Sequence, residues 1–128
     1  MKPRINFIRI PTKDLEKSFA FYRDGLGLST KGIRKGQEDH AFFNLNDGLK
    51  LMLYERKECL PSANQLAGFE TGLTISHAAG SKEEVDTILE KALQAGASRV
   101  GKIQDEPWWY AINFADPDGH QWEIVWEA

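Results

Sequence analysis

The stretch Phe114-Ala115-Asp116-Pro117-Asp118-Gly119-His120-Gln121-Trp122-Glu123-Ile124 fixes how the rest of the chain is read. Apolar residues alternate with small or polar ones on both sides of Asp116-Pro117-Asp118-Gly119. That tetrapeptide suits a type I turn, because proline presets φ at the second position. The pattern predicts two strands, Trp109 to Ala115 and His120 to Trp126, paired across the turn. An earlier segment has the same design: strands at about 40–45 and 49–55 flank Asn46-Asp47-Gly48, a strong hairpin signal. Adding 71 to the earlier numbers places Gly48 on Gly119, Phe43 on Phe114 and Met52 on Glu123.

Upstream of each hairpin the period changes from two to that of a helix. Leu15, Phe19, Tyr22 and Leu26 share one helical face, and Gly25 and Gly27 sit where a C-terminal cap is wanted. In the second half Ser81-Lys82-Glu83-Glu84 is a capping box, and Val85, Ile88, Leu89 and Ala92 continue a helix to Gly96. An offset of 70 places Leu15 on Val85 and Phe19 on Leu89. Short strands precede the helices, Ile5 to Ile10 before a Pro11 break and Leu73 to His77. Another strand is expected around 98–103, while Gly32 and Gly36 punctuate a polar stretch in the first half. The reading is an α+β chain with a β-α-β-β-β order used twice. Neither half is large enough to bury its own sheet face, so the two modules should pair. Residues 1–128 are therefore expected to form one domain: module one at about 4–56, a linker at about 57–70 and module two at about 71–127.

Composition narrows the function classes. The 128 residues carry 16 Lys and Arg against 19 Asp and Glu, a net charge of −3, so nothing favours a nucleic-acid backbone. An apolar fraction of 41% with 7 Phe, 4 Trp and 3 Tyr supports a packed core rather than global disorder. Cys59 is the single cysteine, which excludes an intrachain disulfide and fits a reducing compartment. It stands beside Leu60-Pro61 with no basic partner fixed by sequence, so it reads as an inert thiol. Met1-Lys2-Pro3-Arg4-Ile5-Asn6 carries no apolar leader, and no run approaches the ~18 residues of a membrane span. A cytoplasmic protein with neither membrane nor nucleic-acid partners is expected.

Strand alternation assigns the faces. Trp122, Ile124 and Trp126 belong under the helix, which puts Glu123 on the opposite, groove-lining face. Ile112 and Phe114 pack inward, leaving Trp109, Ala111 and Asn113 with Glu123. In module one, His40, Phe42, Asn44, Lys50, Met52 and Tyr54 take the groove face, joined by Phe7 and Arg9 of the first strand. For 73–77 either Leu73, Ile75 and His77 or Thr74 and Ser76 line it. An ionised Glu123 needs a metal, Arg9, Lys50 or another hydrogen-bonding neighbour; otherwise it is poised for acid–base work, or it is a solvated or ion-paired rim carboxylate. Trp108-Trp109-Tyr110 either packs against the other module or stacks on a ligand. His120, next to the turn, reads as a solvent-facing or turn-bonding residue.

Asp14-Leu15-Glu16-Lys17-Ser18-Phe19-Ala20-Phe21-Tyr22, Leu26-Gly27-Leu28 and Phe114 to Ile124 resemble the vicinal oxygen chelate superfamily. That group contains glyoxalase I, bleomycin and fosfomycin resistance proteins, extradiol dioxygenases and methylmalonyl-CoA epimerase. The resemblance covers nearly the whole chain and implies paired modules forming a cupped, mostly antiparallel sheet with helices outside, often completed by a homodimer. It also implies four metal-ligand positions, on the first and last strands of each module. Here they carry Phe7, Met52, a residue near Leu73, and Glu123, so one ligand of four remains.

The expected function is therefore binding of a small organic molecule without the family's metal. Phe7, Arg9, Phe42, Met52, Tyr54, Trp109, Asn113 and Glu123 are the candidate ligand contacts. Two enzymatic alternatives stand beside it. One is a lyase or isomerase of the glyoxalase I type, with Glu123 catalytic and a divalent metal polarising the substrate. The other is a dioxygenase-like enzyme whose metal site is rebuilt from Glu123, His40 and His77.

Overall fold

The computed structural model describes residues 1–56 and 73–128; Cys59 and the expected linker at 57–70 lie outside the described residues. The chain divides into two compact units, Met1–Leu60 and Pro61–Ala128, each a mixed sheet with its helix on one face. Module one contains β1 (Phe7–Thr12), α1 (Leu15–Ala20), β2 (His40–Asn44) and β3 (Lys50–Glu55), in sheet order β1-β3-β2. Module two contains β4 (Thr74–Ala78), α2 (Lys82–Gln94), β5 (Ser98–Glu106), β6 (Trp109–Ala115) and β7 (Gln121–Glu127), in order β4-β7-β6-β5. No helix among the described residues is long and apolar enough to cross a membrane.

The internal repeat is visible in the strand register. In module one Met52 of β3 pairs with Arg9 on parallel β1 and with Phe42 on antiparallel β2. In module two Glu123 of β7 pairs with Ser76 on parallel β4 and with Asn113 on antiparallel β6. The two hairpins therefore share one register at the offset read from the sequence. The second strand does not repeat equally. Module two builds β5, which pairs Arg99 with Phe114; module one retains a single bridge, Thr30 to Phe43, at the corresponding place. Beyond that bridge Gly32 and Gly36 adopt φ of 88° and 84°, a region closed to most side chains, and carry the chain off the sheet.

Each module's core lies between helix and sheet. Phe43, Leu51 and Leu53 are completely buried in module one, and the rings of Phe19 and Tyr22 meet Phe43 at 5.3 and 5.8 Å. In module two Val85, Leu89 and Ala92 of α2 are buried with Ile112, Phe114, Trp122 and Ile124, and the Phe114 and Trp122 rings stack. Both helices begin on side-chain caps. Asp14 Oδ1 accepts from the Lys17 N–H, and Ser81 Oγ accepts from the Glu84 N–H, both at 3.1 Å. The expected reciprocal half of the capping box is displaced by one residue: Glu84 accepts from the Gly80 N–H rather than from Ser81.

Several boundaries differ from expectation, each for a physical reason. β1 runs through Pro11 to Thr12, because it is an edge strand of its sheet, where a missing N–H costs no ladder bond. α1 is short and continues as a wider π turn, Phe21–Gly25, in which the Leu26 N–H donates to Phe21 O. The extra residue in that turn lets both Phe21 and Tyr22 be buried although they are adjacent. β5 extends to Glu106, past a register shift between Val100 and Gln104 at which Gly101 has φ 73°. The two hairpin turns form as expected. Asp47 and Gly48 both have positive φ, as a type I′ turn requires, and the Gly119 N–H donates to Asp116 O across the second turn.

Candidate functional site

Because α1 and α2 each cover one sheet face, the other face of each module is the open one. In module one that face carries Phe7 and Arg9 from β1, His40, Phe42 and Asn44 from β2, and Lys50, Met52 and Tyr54 from β3, as alternation predicted. Phe7 remains 51% exposed, and its ring lies 5.5 Å from that of Phe42. The Arg9 guanidinium sits 4.7 Å from the Tyr54 ring centre. The result is a half-solvated apolar face with a cation over one of its rings.

Beside it, the segment that leaves the sheet after Thr30 encloses a recess of about 270 Å³. Lys31, Arg34 and Gln37 line it from this segment, and His40, Asn44 and Lys50 from the strands, with Phe42 between them. The wall is tied to the sheet where Thr30 Oγ1 donates to Phe42 O at 2.6 Å and the Gly32 N–H donates back to Thr30 Oγ1. The Asn44 N–H donates to Ser29 O, adding a second tie. Alternation did not reveal this recess, since half of it comes from outside the strands. Its sequence signal is the run Lys31-Gly32-Ile33-Arg34-Lys35-Gly36, three cations punctuated by two glycines.

In module two Glu123 is half-buried, and its Oε1 accepts from Ser76 Oγ at 2.9 Å. Asn113 is its cross-strand neighbour on β6. The partner of Glu123 on its own sheet is thus a hydroxyl. This resolves the open question at 73–77: Thr74 and Ser76 share the face of Glu123. His77 pairs with buried Ile124 and projects to the opposite side, where α2 lies. Glu123 and His77 therefore stand on opposite faces of their sheet and are not brought together there. His40, in module one, is hydrogen-bonded through Nδ1 to Asp39 at 2.8 Å and meets the Phe42 ring edge-on. No group of three or more His, Cys, Asp or Glu side chains suited to a metal ion occurs among the described residues.

The remaining candidates have local roles. Trp109 is half-buried, and its indole N–H donates to Gln104 Oε1 at 3.0 Å, while Trp108 is 61% exposed. Tyr110 faces the helix, and its hydroxyl donates to Asp86 Oδ1 at 2.7 Å. That carboxylate, together with burial, pushes the phenol up to about 12. The backbone of His120 closes its turn with Asp116, its N–H donating to Asp116 Oδ1 and its carbonyl accepting from the Asp116 N–H.

Residues 4–124 match the family model of the glyoxalase/bleomycin resistance protein/dioxygenase superfamily. A curated relative, the metallothiol transferase FosB of Lysinibacillus sphaericus (strain C3-41), is 34% identical over 121 residues, which cover 94% of this chain and 79% of that protein. Among solved structures, the hypothetical protein SA1046 from S. aureus is 25% identical with a TM-score of 0.73, over 98% of this chain and 97% of that one. A glyoxalase-related enzyme from Fulvimarina pelagi is 23% identical with a TM-score of 0.78, over 98% and 88%. The repeated register, the two hairpins and these matches agree: this chain belongs to the glyoxalase/bleomycin resistance protein/dioxygenase superfamily, the vicinal oxygen chelate group.

Proposed function

We propose that this protein binds a small organic molecule through the open face of module one. The observation that carries the reading is the pair Phe7 and Phe42, 5.5 Å apart on a face that no helix of the described residues covers. Burying two such rings against a flat ligand removes a large apolar area from water and adds directional ring contacts. Arg9 over Tyr54, with Met52 between β1 and β2, extends the same surface.

The family's metal is not part of this reading. At the positions the superfamily uses, Phe7 and Met52 offer ring carbon and a thioether, and Glu123 has a hydroxyl and an amide for neighbours. A divalent ion that takes imidazole and carboxylate donors gains little from that set. The residues therefore do not fit the superfamily's metal.

A second reading is a lyase or isomerase of the glyoxalase type, supported by the superfamily whose model residues 4–124 match. In it Glu123 would move a proton at a carbon next to a carbonyl, with Ser76 orienting the carboxylate.

Calorimetric titration with benzyl alcohol and other simple aromatic probes separates the two. Binding that weakens about tenfold in Phe42→Ala, the loss expected of one buried ring contact, supports the binding reading. Glu123→Gln should then leave no turnover to lose. Turnover of the hemithioacetal of methylglyoxal and glutathione that disappears in Glu123→Gln would instead establish the enzymatic reading.

A further inference from the structure

We infer that the recess beside β2 is an anion site, and that the ligand of module one carries a carboxylate or phosphate group that enters it. The inference rests on the reading of the module-one face as the ligand surface and specifies what that ligand must bear.

Three cations, Lys31, Arg34 and Lys50, line the recess, and among the described residues no carboxylate belongs to its lining. Among the described residues none of the three is ion-paired; Lys50 instead holds its ammonium 5.8 Å from the Phe42 ring centre. The acids nearest in sequence are engaged elsewhere. Glu38 Oε1 accepts from the Gly36 N–H at 2.9 Å and Asp39 is hydrogen-bonded to His40, contacts that hold both carboxyls below their usual range. Asn44 and Gln37 add amide groups that can donate to an oxyanion without adding charge.

Size and position define the ligand further. At about 270 Å³ the recess falls just below the ~300–1,000 Å³ of sites that enclose a whole drug-sized ligand, so it suits a head group. Phe42 lines the recess and also pairs with Phe7 on the open face. A molecule with its anionic oxygens on Arg34 and the two lysines would thus lay its apolar body along Phe42 and Phe7. The guanidinium fork of Arg34 matches two oxygens of a carboxylate or phosphate at once. This recess exists because module one does not build the strand that module two has at β5: the glycine-punctuated segment becomes a wall instead of a sheet edge.

Calorimetric titration with four probes tests the proposal: phenyl phosphate, benzoate, inorganic phosphate and the neutral benzyl alcohol. Phenyl phosphate or benzoate should bind more tightly than benzyl alcohol, and the ratio between the two acids tells which oxyanion the recess prefers. Arg34→Gln and Lys31→Gln should each weaken the acids by about tenfold, the worth of one charge-assisted hydrogen bond, and leave benzyl alcohol unchanged. Both side chains are exposed and make no hydrogen bond within the described chain, so an unchanged melting temperature is expected of both variants. Raising the salt to ~0.5 M should weaken the acids alone.

The proposal is overturned if the acids bind no better than benzyl alcohol, or if neither substitution changes their affinity. Failure of the underlying reading has a different signature. If Phe42→Ala leaves benzyl alcohol binding intact while inorganic phosphate still responds to Arg34→Gln, the anion site stands and the aromatic face is not the ligand surface.

Discussion

The two modules share one backbone plan and differ in the chemistry of their open faces. Around the last strand, Arg9, Phe42 and Met52 in module one occupy the places of Ser76, Asn113 and Glu123 in module two. The helix-facing positions stay apolar in both, with Phe43 matched to Phe114, Leu51 to Trp122 and Leu53 to Ile124. The difference teaches where each constraint acts. Packing under a helix admits only apolar residues of suitable volume, whereas the open face is free to become aromatic and cationic in one copy and polar and acidic in the other.

The largest expected effects test the shared plan. Phe43→Ala and Phe114→Ala remove rings with no solvent exposure at matching positions, and each should cost about 3–5 kcal/mol. Urea denaturation measures both. A loss below ~1 kcal/mol in one variant alone would show that the two cores are not equivalent, despite their common register.

Next in size are the helix caps. Asp14→Ala and Ser81→Ala each remove one acceptor from an N-terminal N–H and should cost about 1 kcal/mol. Asp14 caps the shorter helix, so a much smaller loss there would indicate that α1 is fixed by Phe19 and Tyr22 packing rather than by its cap.

The smallest effect sharpens the contrast. Module two joins helix to sheet through Tyr110 and Asp86, whereas the corresponding place in module one is Asp39, before β2 begins. The folded Tyr110 phenol titrates at about 12, above the ordinary 10.0, so the neutral form is the one the fold favours. Its contribution is fully present below pH 10 and is lost as the pH rises from there through 12. Absorbance titration of tyrosinate should show a late-ionising group that Tyr110→Phe removes. Persistence of that group in the variant would place it on another tyrosine.

Much of this was legible in the sequence, because period and turn chemistry are local. Asp47-Gly48 and Asp116 to Gly119 announced both hairpins, and alternation placed Phe7, Arg9, Phe42, Met52, Tyr54 and Glu123 on open faces correctly. What sequence reading left open depended on pairing. The stretch 73–77 alternates weakly, and the Glu123–Ser76 register decides that Ser76 shares the open face and His77 does not. The recess was hidden for another reason: Lys31 and Arg34 reach Phe42 through a turn of the chain rather than along a strand. The π turn at Phe21–Gly25 likewise follows from burying two adjacent rings, a demand no single-period pattern expresses.

The central claim is that this superfamily member binds its ligand through an aromatic and cationic face without a resident metal. Elemental mass spectrometry tests it most directly, on protein purified without chelators and again after incubation with nickel, zinc, manganese and iron(II). The account predicts far less than one ion per chain under every condition. One tightly held ion per chain would contradict it and return Glu123 to the role of a metal ligand.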